Sequence, residues 1–242
     1  MSGTDDKQLI AKLAEYDTPS ITNVVAAYPG RPFCLELFNP WTTNWYTDHS
    51  VRCMFPELGR TVGYAVTCVF GLPDPSYGKL SFMDVLDALD ASKRPSILVI
   101  EQRFPPEIAG KVGLAGENMA TALMALDCTG IVSNGPSRDL PEVREMGFQY
   151  LISGASAGHG NQAVHAVNTP VSVAGMDVAP GQIVHMDANG AVVFPADQIE
   201  PVLENLAKIK ADEEARIAKL KKARSAKELR AIFKGQAYGD EK

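Results

Sequence analysis

Arg138 and Asp139 stand side by side just after the segment Gly130-Ile131-Val132-Ser133-Asn134. The planar guanidinium of an arginine pairs with a carboxylate at two points, and an aspartate is a hard oxygen ligand suited to Mg²⁺. Upstream, Gly116-Glu117-Asn118-Met119 opens an apolar stretch that reads as a helix from Glu117 to Cys128. The first N–H groups of a helix have no partners inside it, so Ala115 to Met119 offer a cradle for a carboxylate or phosphate. An anion cradle, an arginine and two acidic residues, Glu117 and Asp139, would together make a chelation site for an α-keto acid or a similar small anion. Each also has an ordinary structural use. Glu117 complements the helix dipole, and Arg138-Asp139 caps the helix that follows. Only their convergence in one cleft separates the two uses, and convergence depends on the elements that carry them.

Those elements read as an α/β fold. Ser96 to Glu101 is a buried strand, the helix at Glu117 crosses over, and Gly130 to Asn134 is the next strand. Strand, crossover helix and strand make two parallel strands, and ligands collect outside their carboxyl ends. The loops holding Gly116 and Arg138 are therefore neighbours. Around this unit, Thr61 to Phe70 reads as a strand, Ser81 to Ala91 as an amphipathic helix, Glu142 to Met146 as a short helix and Tyr150 to Gly154 as a strand. After Asn168 the pattern is all-β, with an Asn189-Gly190 hairpin between two apolar runs. Residues 8–29 read as two helices broken at Asp17-Thr18-Pro19-Ser20, with Thr-Pro-Ser as the cap. Gln198 to Lys222 is a charged helix with Ile199, Val202, Leu203, Leu206 and Ile209 on one face. Residues 30–58 hold Pro32, Pro40 and Pro56, lack a regular period, and carry Phe33, Phe38, Trp41, Trp45, Tyr46 and Phe55. This aromatic-rich insert reads as a lid over the site or as an interface patch. We expect one domain over residues 1–205 and a charged helical extension over 206–242.

Several chemistries are disfavoured. Gly110, Gly113 and Gly116 are spaced G-x-x-G-x-x-G, which is not the dinucleotide fingerprint, and no phosphate-binding G-x-x-x-x-G-K-[ST] occurs. Ser137, Ser153 and Ser156 lack a G-x-S-x-G elbow. Cys34, Cys53, Cys68 and Cys128 show no zinc or redox spacing, and Cys68 and Cys128 read as buried hydrophobes in a reducing cytoplasm. His49, His165 and His185 have no partner at ligand spacing and read as satisfied, partly exposed side chains. His159, in the glycine-rich loop after a strand, reads the same way or else faces the cleft. The net charge of −6 argues against nucleic acid as a partner. No apolar run is long enough to span a membrane, and the acidic N-terminus does not read as a secretory signal.

Two stretches carry a family resemblance: GENMATALMALDCTGIVSNGPSRD and TPVSVAGMDVAPGQIVHMDANGAVVFP. Together they resemble the regulator of ribonuclease activity A (RraA)-like family, from about Gly59 to Leu206, with an echo in DTPSITNVVAAY. The resemblance implies a swivelling β/β/α domain, here with N-terminal helices and a C-terminal helical extension, assembled as a homotrimer or hexamer with sites between subunits. It also implies the chemistry of the family's 4-hydroxy-4-methyl-2-oxoglutarate aldolases, which also decarboxylate oxaloacetate and release pyruvate. In that case Asp139 holds a divalent metal, Mg²⁺ or Mn²⁺, and Arg138 binds the keto-acid substrate. Gly116, Glu117, Asn118 and Met119 hold the pyruvyl carboxylate through backbone N–H groups. Glu117 orders water where the aldolases usually carry Asp, and a glutamate from a neighbour's C-terminal helix, Glu213 or by preference Glu214, completes the site. The ordinary reading of that glutamate pair is a solvated helix face. Asn134-Gly135 replaces the usual Asp-Gly. The family's other branch keeps the scaffold as a non-catalytic, protein-binding regulator, and a related lyase with a different acid substrate is a third option.

Overall fold

Ten of the eleven residues of the strand Thr61–Gly71 are buried, as expected of a strand covered on both faces. The computed structural model describes residues 3–28, 31–41 and 44–234 and builds the fold around this strand. In chain order, α1 (Gly3–Leu13) and α2 (Thr18–Val25) precede β1 (Arg52–Cys53) and the long β2 (Thr61–Gly71). Then come α3 (Phe82–Asp90), β3 (Ser96–Arg103), α4 (Pro106–Ala109), α5 (Glu117–Met124), β4 (Cys128–Ser133), α6 (Leu140–Glu145) and β5 (Gln149–Ile152). They are followed by β6 (Ala163–Val167), β7 (Val171–Val173), β8 (Met176–Val178), β9 (Ile183–Asp187) and β10 (Gly190–Phe194). Two helices, α7 (Ile199–Lys222) and α8 (Ala226–Phe233), complete the described chain.

The main sheet runs β1-β5-β4-β3-β2-β9-β10. Strands β2, β3, β4 and β5 are mutually parallel. The first half of β2 pairs antiparallel with β9, and its second half pairs with β6. Successive side chains of β3 divide between two cores, as the two-residue period of a strand requires. Ile97 and Val99 join Leu13, Ile21, Val24, Val202 and Leu206 from α1, α2 and α7. Leu98 and Ile100 join Val85, Leu89, Leu123 and Val143 from α3, α5 and α6. The expected α/β layering is thus observed. Among the described residues no helix is long and apolar enough to cross a membrane.

Part of the aromatic insert is built into the core rather than standing off it. Gly30, Thr42 and Thr43 lie outside the described residues, and several of the others pack onto the sheet. Trp45 is buried, stacks on Phe38 with centroids 5.4 Å apart, and accepts Val193 N–H of β10 through its carbonyl at 3.0 Å. Thr47 exchanges two bonds with Ala191, both 2.9 Å. A few residues later β1 pairs with β5. One short segment therefore ties β10 to β5 and leaves the sheet nearly closed on itself. Trp41 remains exposed.

Three smaller expectations change. Asp17, rather than Thr-Pro-Ser, caps α2 by accepting Ser20 N–H at 2.8 Å. His185 is fully buried rather than partly exposed, and its ring nitrogens meet Thr18 Oγ1 at 3.0 Å and Tyr16 O at 3.0 Å. The 205/206 boundary falls inside α7, which buries Ile199, Val202 and Leu206 on the domain and leaves its later turns largely exposed. Cys68 and Cys128 are buried free thiols, and burial pushes the Cys128 thiol up to about 11.

Candidate functional site

Because β3, β4 and β5 are parallel, the loops leaving their carboxyl ends emerge together. Backbone hydrogen bonds fasten these loops in the same order as the strands. Leu114 N–H donates to Pro136 O at 2.9 Å and Arg138 N–H to Ala115 O at 2.9 Å. On the other side Ser137 N–H donates to Gly154 O at 3.0 Å and Ser156 N–H to Ser137 O at 2.9 Å. Between them lies a cleft of about 210 Å³ whose walls include Gly116, Asn118, Met119, Arg138, Asp139 and His159.

Asn134 and Gly135 shape the central loop. The Asn134 amide accepts Gln102 N–H at 2.6 Å and donates to Gln102 O at 3.1 Å, so it prolongs the β3–β4 pairing by one residue. An ionised aspartate could accept but not donate, which gives the asparagine a structural reason. A β-carbon at Gly135 would lie 2.7 Å from Leu114 Cδ1 and 2.8 Å from the Gln102 amide carbon, so any other residue would push these side chains aside.

Asp139 occupies the N-cap position of α6 with φ 56° and ψ 39°, in the left-handed region. Its side chain makes no capping bond. Oδ2 instead accepts Glu117 N–H at 3.0 Å and lies 3.4 Å from Arg138 Nε. The capping reading is thereby overturned. Gly116 makes this approach possible, because a β-carbon there would stand 2.2 Å from Asp139 Oδ2.

Glu117 joins the site through its main chain, but its N–H is engaged by Asp139 Oδ2 and, contrary to expectation, is not free for a substrate carboxylate. Its side chain is exposed and does not line the cleft. Asn118 and Met119 do line it, and the first bond of α5 is Ala120 N–H to Gly116 O at 3.0 Å. Among the described residues the N–H groups of Asn118 and Met119 have no acceptor. Both residues share the cleft with Arg138. Glu213 and Glu214 lie on the outer turns of α7 and do not line the cleft of their own chain; Glu213 pairs with Arg216 at 3.7 Å. Gln162 also lines the cleft, and sequence reasoning did not single it out. A glutamine in a glycine-rich loop has no signature beyond its position after β5.

The donor set fits a weakly caged hard cation. Asp139 Oδ1 has no hydrogen-bond partner among the described residues, while Oδ2 is engaged by Glu117 N–H and Arg138. No group of three His, Cys, Asp or Glu side chains able to hold a metal occurs among those residues. A cation there would have Asp139 as its one protein carboxylate, a donor set of the kind Mg²⁺ takes, since it keeps several waters and uses one or two carboxylates plus substrate oxygens. A second cavity of about 360 Å³ lies between α2 and the insert, lined by Tyr28, Trp41, Trp45 and Tyr46 with threonines and no charged side chain. It lacks the groups for carbanion chemistry.

Comparisons with known proteins bear on the family and the fold. The sequence pattern of the RraA-like family, described as Aldolase/RraA, matches residues 36–193. A protein of Halalkalibacterium halodurans named "Putative 4-hydroxy-4-methyl-2-oxoglutarate aldolase" is 31% identical over 133 residues, which span 54% of this chain and 61% of the relative. The match therefore covers about three fifths of that protein's length. An uncharacterized protein from Pseudomonas syringae pv. tomato has the same fold, with a TM-score of 0.70 at 18% identity over 93% of each chain. Streptomyces coelicolor RraAS2, an unusual member of the RNase ES inhibitor RraA family, superposes with a TM-score of 0.65 at 19% identity, covering 86% of this chain and 94% of that one.

Proposed function

The chain belongs to the RraA-like family, and we propose that it is a divalent-metal-dependent lyase that cleaves a small 2-keto acid, a 4-hydroxy-2-keto acid or oxaloacetate, to release pyruvate. One observation carries this reading. The Arg138 guanidinium, the Asp139 carboxylate and the unpaired N–H groups of Asn118 and Met119 meet in a single cleft. Breaking a C–C bond next to a carbonyl leaves negative charge on the keto oxygen, which the site must stabilise. Arg138 pairs with the substrate carboxylate, and the two N–H groups hold its other oxygen. Asp139, anchored by Glu117 N–H, would hold Mg²⁺ or Mn²⁺, and the ion when bound supplies Lewis-acid stabilisation of that developing charge. Preorganised donors of this kind need no reorganisation as the charge appears.

In a homotrimer or hexamer, the Glu117 carboxylate at the rim and a Glu214 from a neighbouring subunit would complete the site and help move the substrate proton. The aldolase name of the 31% identical relative supports the reaction class. The family's regulator branch supplies the alternative, a protein-binding scaffold without turnover. Purified protein offered oxaloacetate and 4-hydroxy-2-keto acids with Mg²⁺ or Mn²⁺ separates the two. The lyase releases pyruvate, stops in EDTA and recovers when metal is restored. No pyruvate from any of these substrates at any metal concentration favours the regulator.

A further inference from the structure

The second cavity, of about 360 Å³, shares no lining residue with the cleft. Its walls include Tyr28, Trp41, Trp45, Tyr46 and Thr47, with Asn189 from the turn between β9 and β10. Asn39 fixes the turn that carries both indoles. Its side-chain oxygen accepts the main-chain N–H of Trp41 at 2.9 Å, and its carbonyl accepts Trp45 Nε1–H at 3.2 Å. Trp45 is buried, edge-on to the Tyr46 ring with centroids 4.7 Å apart. Trp41 is 87% exposed. One exposed apolar side chain needs no explanation, but an indole that lines a cavity together with a second exposed ring, Tyr46, offers a ligand a flat platform.

The polar groups of the lining define the ligand. Among the described residues that line the cavity none is charged, so neither a carboxylate nor an ammonium finds a counter-charge there. Thr47 is 8% exposed, and its Oγ1 accepts Ala191 N–H at 2.9 Å, which leaves its hydroxyl proton without an acceptor among the described residues. Asn189 Nδ2 donates to Asp187 Oδ1 at 3.0 Å, which fixes the amide and leaves its Oδ1 without a partner among those residues. The cavity therefore holds one neutral donor and one neutral acceptor beside aromatic rings. A hydrocarbon would leave both unpaired. A hydroxyl both donates and accepts, and so satisfies either.

We propose that this cavity binds a neutral sugar, with Trp41 as the stacking platform and Thr47 and Asn189 reading its hydroxyls. A pyranose ring has the required shape. Its C–H face, slightly positive, packs on the negative face of an aromatic ring, and its hydroxyls project from the edge. The volume falls in the range of about 300–1,000 Å³ usual for small-molecule sites, which are mostly apolar with a few placed polar groups. The site stands apart from the lyase reading and does not depend on it.

The chain has two tryptophans, and both line this cavity, so indole emission reports on it alone. The test titrates the full chain with methyl glycosides of glucose, galactose and mannose, and with cellobiose and maltose, following tryptophan fluorescence. Trimethylglycerol-free buffer with tetramethylammonium chloride, and separately oxaloacetate, serve as comparison probes. At least one sugar should give a saturable blue shift, as Trp41 loses water, with a Kd of about 0.1–10 mM. Trp41→Ala, a change at an exposed position, should weaken binding at least tenfold while Trp45 still emits as a buried indole. Asn189→Ala should weaken it several-fold. A disaccharide that binds more tightly than its methyl glycoside makes the ligand a glycan end, and equal affinities make it a single sugar unit; both support the proposal. No spectral change with any sugar up to about 100 mM overturns it. So does a response to tetramethylammonium alone, which would make the rings a cation cage. Displacement of the sugar by oxaloacetate, unchanged affinity in Trp41→Ala, or a sugar-free wild type in which Trp41 already emits as a buried indole covered by another copy also overturns it.

Discussion

A β-carbon on Gly116 would stand 2.2 Å from Asp139 Oδ2 and 3.1 Å from Arg138 Nε, while the glycine's own backbone, at φ −135° and ψ −168°, is extended and open to any residue. Gly116→Ala should accordingly displace the Asp139 carboxylate, the end of a flexible side chain, without straining the fold. We expect folding stability to stay within about 1 kcal/mol of wild type and pyruvate release to fall at least tenfold, roughly 1.4 kcal/mol or more of transition-state stabilisation. Urea denaturation and kcat/KM on the same preparation check both halves; equal activity would show that the close approach of Asp139 to α5 is incidental. At this scale Arg138 and Asp139 were legible in the sequence because a charged pair in a loop just after a strand has few structural duties. The partner of Glu117 was not: its main-chain N–H was expected to meet a substrate and instead meets Asp139 Oδ2, a contact between two loops that no local pattern marks.

The elements divide in the same way between legible and hidden. Strands β2 and β3 are long, apolar and covered on both faces, and α3 announces itself through Ser81 and Asp84, which form a capping box. The four-residue α4 and three-residue β8 are too short to show a period. The insert misled for another reason. Its proline punctuation and lack of period describe a chain that changes direction, whereas its aromatics are fixed by partners far along the sequence, such as Val193 and Ala191 of β10. Such packing is tertiary and leaves no local trace. Trp45, 2% exposed and stacked on Phe38, is therefore a core residue. Trp45→Ala should cost about 3–5 kcal/mol of stability, the range for emptying a buried aromatic site. The relative rates of the folded variant on oxaloacetate and a 4-hydroxy-2-keto acid should match wild type, since Trp45 does not line the cleft. A changed ratio would restore the lid.

Across the whole molecule, the junction of α1, α2 and the β9–β10 hairpin depends on a neutral histidine. Burial holds the His185 ring pKa down at about 4, against an ordinary value of 6.5. Between those values the unfolded chain binds a proton that the folded chain does not, so stability falls as pH drops through the window. The contribution is complete above about pH 6.5 and declines by up to about 3 kcal/mol by about pH 4. Urea midpoints at about pH 7.5 and pH 4.5 should show this loss, and His185→Gln should show a smaller one; an equal loss in the variant would assign the dependence to other groups. The site itself sits at the other end of the sheet, where three parallel strands deliver three loops to one cleft. Its central claim is that Asp139 holds the metal on which pyruvate release depends. The most direct measurement is pyruvate release by wild type and Asp139→Asn across a Mg²⁺ or Mn²⁺ titration, with both proteins shown to be folded. We predict that wild-type release rises with metal and vanishes in EDTA, while Asp139→Asn stays at background throughout. Wild-type rates in Asp139→Asn, or wild-type release indifferent to EDTA, would contradict the account.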